Sequence, residues 1–410
     1  MSPATGCAAL ICPDAHEDTG AHGAESTLVG VDSWMRRLSC LLSGVALLVT
    51  GLGTPFAAAD GGWSANPVAS SKAADQPCAD LLFVGVRGSG EQPPYGTTLS
   101  AVEQQLATHT QQSRPDLSVR QVFLDYPATS LDQLNLSAVE NMVLPNSSAS
   151  PSAYTSSVDA GVSELERLAH SEAERCHDQK LLIAGFSQGA EVTTRALASG
   201  QLDANTTAVV LLGNPLHYDG QNVNELDGTA GNRAYGLVAA LHFLRQQATA
   251  DPHATRQQQV QSLLTSLFSL YNGTVDNGTL NAAMKSAGAD VPGVDAPMTW
   301  SVCMSGDTVC DSAEALSRLL TSTSTVQEEE DRARPLHSSY TPANLPKTLA
   351  AVEAKIDALP ATATGSARGP LPGRSAAPVV ALAVAAVVLA GAVVAVLIGR
   401  RRRSGRGSHQ

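Results

Sequence analysis

Clustered positive charge is scarce in this sequence. Lys and Arg total 26 against 38 Asp and Glu, giving a formal net charge of -12, and the dense basic run is confined to the extreme C-terminus. Phosphate backbones are bound by grouped Lys and Arg, so a nucleic-acid partner is excluded from the expected functions. Aromatic residues make up only 4% of the chain, so its core has to be built from Ala, Val and Leu. The seven Cys include no C-x-x-C pair, which removes the spacing expected of a four-cysteine metal site. Internal repeats are missing too. What is present is the balance of a globular chain, 43% hydrophobic and 16% charged. The length of 410 residues allows one large domain with appendages or two domains.

Two apolar stretches set the expected compartment. The first follows Met35-Arg36-Arg37, runs from Leu38 to about Phe56 and ends in Ala57-Ala58-Ala59. A short basic start, an apolar stretch and small residues at the end predict a signal peptide over 35–59, with 1–34 a non-structural extension and Met35 a candidate start. The second, 378–398, is uncharged and followed by Arg400 to Arg403. At about 1.5 Å rise per residue it is long enough to span a bilayer. Its arginines would stay in the cytoplasm, with everything before Pro378 outside. The expected location is therefore the outer face of the cell membrane or the cell wall, with a basic tail over 399–410. Removing the leader leaves Cys78, Cys176, Cys303 and Cys310. An even count in an exported chain predicts two disulfides, in any of three connectivities.

Between the two stretches the pattern alternates. Residues 60–77 are small and polar and read as a linker. Apolar runs of strand length follow at 81–86, 119–126, 180–185, 208–212 and 299–304. Residues 156–173 carry apolar side chains at helical spacing, and a further helix is expected from Gly189 to Leu197. Short, continuously apolar strands separated by helices predict an α/β fold: a central, mainly parallel five-stranded sheet with helices on both faces. The domain is expected over 78–359. A helical insertion occupies 217–298, where Leu237, Leu241 and Leu244 share one helix face and Val260, Leu263, Leu264, Leu267 and Leu270 another. Residues 321–336, with Glu328-Glu329-Glu330-Asp331, read as a solvated loop. A last helix is expected over 345–359, then a stalk over 360–377.

Gly185-Phe186-Ser187-Gln188-Gly189 carries the most chemistry. It ends an apolar strand and opens a helix, the context in which a G-x-S-x-G turn holds a serine with Oγ exposed. The flanking glycines let strand and helix approach, and the helix start offers free N–H groups to a developing oxyanion. A serine nucleophile needs a base, and the base an orienting carboxylate, in the chain order Ser, Asp or Glu, His. His217, His242 and His253 precede the last strand or lie in the insertion, where packing or surface roles suit them. His337 follows the fifth strand and is the remaining histidine before the apolar span. Asp307 sits just past that strand in Cys303-Met-Ser-Gly-Asp307-Thr-Val-Cys310. A disulfide between these two cysteines would close a small loop around it.

Over roughly 78–359 the sequence resembles the cutinase family of α/β-hydrolase type. The resemblance rests on Gly-Phe-Ser-Gln-Gly at 185–189, on Cys176 before it, on Cys78 before Arg87-Gly88-Ser89, and most specifically on Gly-Asp-x-Val-Cys at 306–310. It implies disulfides Cys78–Cys176 and Cys303–Cys310, a triad of Ser187, Asp307 and His337, and an oxyanion hole from Ser89 and the Gln188 backbone N–H. It implies a serine carboxylesterase that needs no metal or organic cofactor and acts on lipid, polyester or acylated-polysaccharide esters; a monomer is expected.

The chain departs from the compact family pattern in the long stretch between Asn214 and Cys303 and in the acidic segment before His337. Two readings of the insertion are open: a partial lid with Leu263 and Leu267 bordering the acyl pocket, or a helical pair packed beside the sheet. Leu359-Pro-Ala-Thr-Ala363 resembles a sortase-sorting pentapeptide, but simple membrane retention is expected. Other esters (acetylated polysaccharide, phospholipid, mycolyl) and a non-catalytic adhesion role are the competing functions.

Overall fold

The computed structural model describes residues 62–130, 143–144, 152–202, 205–320 and 323–360. Among the described residues seven strands form one sheet: β1 (Gly62–Trp63), β2 (Val68–Ala69), β3 (Leu81–Val86), β4 (Ser118–Phe123), β5 (Lys180–Phe186), β6 (Thr206–Leu212) and β7 (Thr299–Val302). Their order is β1-β4-β3-β5-β6-β7, with β2 also on β4, and every described pairing is parallel. In β3 all six residues are buried, because alternate side chains feed two separate cores. Leu82, Val84 and Val86 join one, and Leu81 and Phe83 the other. Burying one such side chain contributes about 1.5–3 kcal/mol, and a sheet buried on both faces explains why its strands read as unbroken apolar runs.

The first face is covered by α2 (Ala153–Arg175), α3 (Gln188–Ala198) and the insertion helices α4 (Leu237–Ala248), α5 (Arg256–Tyr271) and α6 (Asn277–Ser286). The second is covered by α1 (Gly96–Ser113) and α9 (Pro346–Asp357). Between β7 and α9 come α7 (Ala313–Leu320) and α8 (Val326–His337). Disulfides join Cys78 to Cys176 and Cys303 to Cys310, the pairing that the resemblance implied. The first ties the entry of β3 to the end of α2. The second closes the loop after β7.

Two expectations are corrected, and one open choice is narrowed. The sheet has seven strands rather than five, and the two extra ones come from the segment read as a linker. β1 and β2 have two residues each, too few to show periodicity, and exist by pairing with the edge of β4; Trp63 packs on the ring of Phe83 at 5.7 Å. Most of the acidic stretch read as a loop is α8. Thr325 and Glu328 form a reciprocal capping box, and acidic side chains in the first turn favour a helix N-terminus. In the insertion Leu267 is buried and Leu263 packs against the core of the first face, so these two side chains support packing beside the sheet rather than a lid.

The insertion leaves the chain after β6 and returns to β7. Its beginning is pinned there: Asn224 N–H donates to the Thr299 carbonyl at 2.8 Å and its own carbonyl accepts from Ser301 at 3.0 Å. No helix among the described residues is long and apolar enough to cross a membrane. The extension 1–34, the leader 35–59, the stalk beyond Pro360, the apolar span 378–398 and the tail 399–410 lie outside the described residues.

Candidate active site

The carboxyl end of β5 turns into α3 with no spare room. A side chain at Gly189 would put its Cβ 1.9 Å from the Val86 carbonyl oxygen, and one at Gly185 would come 2.6 Å from the Gly189 oxygen. Ser187 between them holds φ 53° and ψ -120°, a conformation that a side-chain-bearing residue rarely adopts and that costs on the order of 1–3 kcal/mol. Its N–H donates to the Leu212 carbonyl of β6 at 2.9 Å, and its carbonyl accepts from Ala190 and Glu191. These bonds hold the strained turn against the next strand. The Gln188 side chain is fully buried and accepts from Ser157 Oγ at 3.1 Å, so this residue offers its surroundings a backbone amide at a helix start.

Ser89 lies on the loop after β3. Arg87 braces that loop, its guanidinium donating to the Glu91, Leu124 and Tyr126 carbonyls at 3.0, 3.0 and 2.5 Å. The Glu91 carboxylate accepts from Gly88 N–H at 2.8 Å and Thr97 N–H at 3.0 Å. The loop lies against the nucleophile strand: a Cβ on Gly88 would sit 2.8 Å from the Phe186 ring. Ser89 Oγ has no hydrogen-bond partner among the described residues.

The acid and the base meet at the next strand ends. Asp307, in the loop closed by Cys303–Cys310, is fully buried. Its Oδ2 lies 2.8 Å and its Oδ1 3.0 Å from His337 Nδ1. Val309 N–H donates to Oδ1 at 3.0 Å and the Tyr340 hydroxyl to Oδ2 at 2.5 Å. The imidazole stacks on Phe186, the residue before Ser187, with ring centroids 4.7 Å apart and planes 27° apart. On another side it meets Gly213 (φ +56°), where a Cβ would come 2.9 Å from the His337 ring. With Nδ1 committed to the carboxylate, Nε2 is the ring nitrogen left for another partner. Neither Nε2 nor Ser187 Oγ makes a hydrogen bond among the described residues. Such contacts commonly close only with substrate in place.

His337 is positioned from behind. It ends α8, and α8 is clamped to α7 through Arg318, whose Nε and Nη2 lie 2.8 Å from the two Glu329 oxygens. The hydrogen bonds from Arg318 hold the Glu329 carboxyl down at about 2. Burial of His217 outweighs the charge of Asp307, which lies near enough to act on it. Burial lowers His217 and His242 to about 4, so both stay neutral, and His253 is exposed.

Sequence reasoning missed Tyr340. It is buried, accepts from Met304 N–H at 3.2 Å while donating to Asp307, and stays protonated because burial, then the Asp307 charge, raises it well above its ordinary value. Its only signal is a tyrosine three residues after His337. Glu191 was missed too. It lies buried in the first turn of α3, accepts from Tyr154 at 2.6 Å and is pushed up to about 7 by burial.

A parallel sheet covered on both faces, with a serine in a strained strand-to-helix turn beside an Asp–His pair, defines an α/β protein of hydrolase architecture. A family sequence profile described as Cutinase matches residues 77–329, and the chain belongs to the cutinase family. Among solved structures it is similar to the catalytic core domain of an acetyl xylan esterase from Trichoderma reesei, at 16% identity over 68% of this chain and 100% of that one, with a TM-score of 0.38. It is also similar to a cutinase-like protein from Cryptococcus sp., at 15% identity over 65% of this chain and 95% of that one, with a TM-score of 0.34. No curated protein sequence matches the chain.

Proposed function

We propose that this chain is a serine carboxylesterase working by two-step acyl transfer. The observation that carries the reading is the pairing of buried Asp307 with His337 Nδ1 beside the strained turn of Ser187. In this mechanism His337 Nε2 takes the Ser187 proton as Oγ attacks the ester carbonyl. Asp307 holds the imidazole tautomer and is itself held by Tyr340. Ser89 Oγ and the Gln188 amide receive the oxyanion, the alcohol leaves, and water activated by His337 hydrolyses the acyl-enzyme.

The same proposal includes export and tethering. Two disulfides fit an oxidising compartment. The basic-apolar-small pattern over 35–59 fits a cleaved leader, and the span 378–398 before Arg400 to Arg403 fits a membrane anchor.

Ser187→Ala is expected to lower ester turnover on the order of 10⁵–10⁶-fold and to abolish labelling by a fluorophosphonate probe, with the thermal midpoint unchanged. Turnover at the wild-type rate in the folded variant overturns the reading. A series of p-nitrophenyl esters from acetyl to long acyl chains then separates acetyl esterase from lipid esterase activity.

A further inference from the structure

Helix α5 has more apolar surface than the fold uses. At 100° per residue, Leu263, Leu267 and Leu270 fall on one arc and Val260, Leu264, Phe268 and Tyr271 on the arc beside it, together about 160° wide. The first set packs inward, with Leu267 and Leu270 buried. The second set faces out: Val260 is 39%, Leu264 46%, Phe268 56% and Tyr271 50% exposed. Four of the six large hydrophobic side chains exposed among the described residues therefore line one stripe of one helix. Scattered exposed apolar residues are ordinary; a contiguous row of this kind marks a contact surface.

Charge and position narrow the occupant. The sequence of α5, RQQQVQSLLTSLFSLY, contains no acidic residue, and its one charge is Arg256 at the N-terminus. In a chain of net charge -12 the helix itself carries no carboxylate that would repel anionic headgroups. The C-terminal end of α5 meets the segment that follows β6. A Cβ on Gly273, two residues past Tyr271, would lie 2.8 Å from the Arg233 side chain, and Arg233 is three residues before Gly236, which contacts Pro215 at the exit of β6. The chain also brings its own lipid within reach. Residues 360–377 separate α9 from the apolar span 378–398. Fully extended, a segment of that length reaches at most about 60 Å, more than a domain radius of about 20 Å.

We propose that the outward stripe Val260-Leu264-Phe268-Tyr271 rests in the acyl-chain boundary of the phospholipid bilayer in which the same chain is anchored. This inference rests on the tether described above. It assigns α5 a second contact with the membrane, beside the proposed anchor.

The full-length chain is reconstituted into phosphatidylcholine–phosphatidylglycerol vesicles, with and without dibrominated acyl chains. Phe268→Trp places the reporter at an exposed position, and wild-type emission is subtracted. The expected result is that the added tryptophan loses at least half of its fluorescence in brominated vesicles. Protein that floats with vesicles after a carbonate wash yet shows no quenching at position 268 overturns the stripe and leaves the tether standing. Protein that the wash strips from vesicles overturns the tether and this inference together, while leaving the esterase reading untouched. A Leu264→Cys variant that cross-links to a second copy in the vesicles replaces lipid by another chain and also overturns it.

Discussion

The nucleophile half and the acid–base half of the candidate site are built in opposite ways. Ser187 is set by its immediate neighbours: the end of β5, the start of α3 and two glycines with no space for a side chain. Asp307 and His337 are 30 positions apart and are brought together by a disulfide-closed loop, an ion-pair clamp between α7 and α8, and a tyrosine from beyond both. Local sterics fix the first half. Accumulated tertiary contacts fix the second, so it offers more places where a single change weakens chemistry without removing it.

The largest test of that contrast is Asp307→Asn. It keeps the volume and loses the charge that selects the imidazole tautomer, and kcat is expected to fall by about 10⁴-fold with the fold intact. A fall under tenfold would mean that the carboxylate is not the partner that matters. On the nucleophile side, Ser89→Ala is expected to lower kcat by roughly 10²–10³-fold, as for removal of one oxyanion donor. Gln188→Ala should cost less, since its side chain bonds to Ser157 and it is the backbone that is offered; the reverse order in steady-state kinetics would refute the assignment.

The smallest effect is expected from Tyr340→Phe, about tenfold in kcat/KM. Its signature is a shift rather than a loss. The hydroxyl stays protonated because burial, then the Asp307 charge, raises it well above its ordinary value, so it shares the negative charge of Asp307 across the assay range. Removing that donor leaves the imidazolium facing a more strongly negative carboxylate. The acid limb of the pH profile therefore moves to higher pH. An unmoved profile would reduce Tyr340 to a packing residue.

Legibility in the sequence follows the same division. The five strands of the central sheet were readable because burial on both faces makes them continuous apolar runs. The turn at 185–189 was readable because its glycines and serine are adjacent. β1 and β2 were not, since two residues have no period and their existence depends on β4. The acidic run was mistaken for a loop because a charged stretch reads as solvated until its partners are known; Glu329 finds Arg318 eleven positions away and Arg332 on its own helix. Tyr340 was invisible because a tyrosine gains meaning only from a hydrogen-bond acceptor brought to it by the fold.

The pinning of Asn224 beside β7 has a further consequence. The first part of the insertion is also stitched to the loop that carries Asp307: Thr229 and Ala230 N–H donate to the Cys303 carbonyl, Leu237 N–H to the Val309 carbonyl, and Ser312 N–H to the Tyr235 carbonyl. Further along, lengthening a closed loop costs only logarithmically in entropy. Changes of length are therefore best tolerated past α4, in a stretch that makes none of these bonds to the Asp307 loop, and least tolerated between Asn224 and Leu237. The near part of the insertion is thereby bound to the Asp307 loop, and only its far part is left to drift.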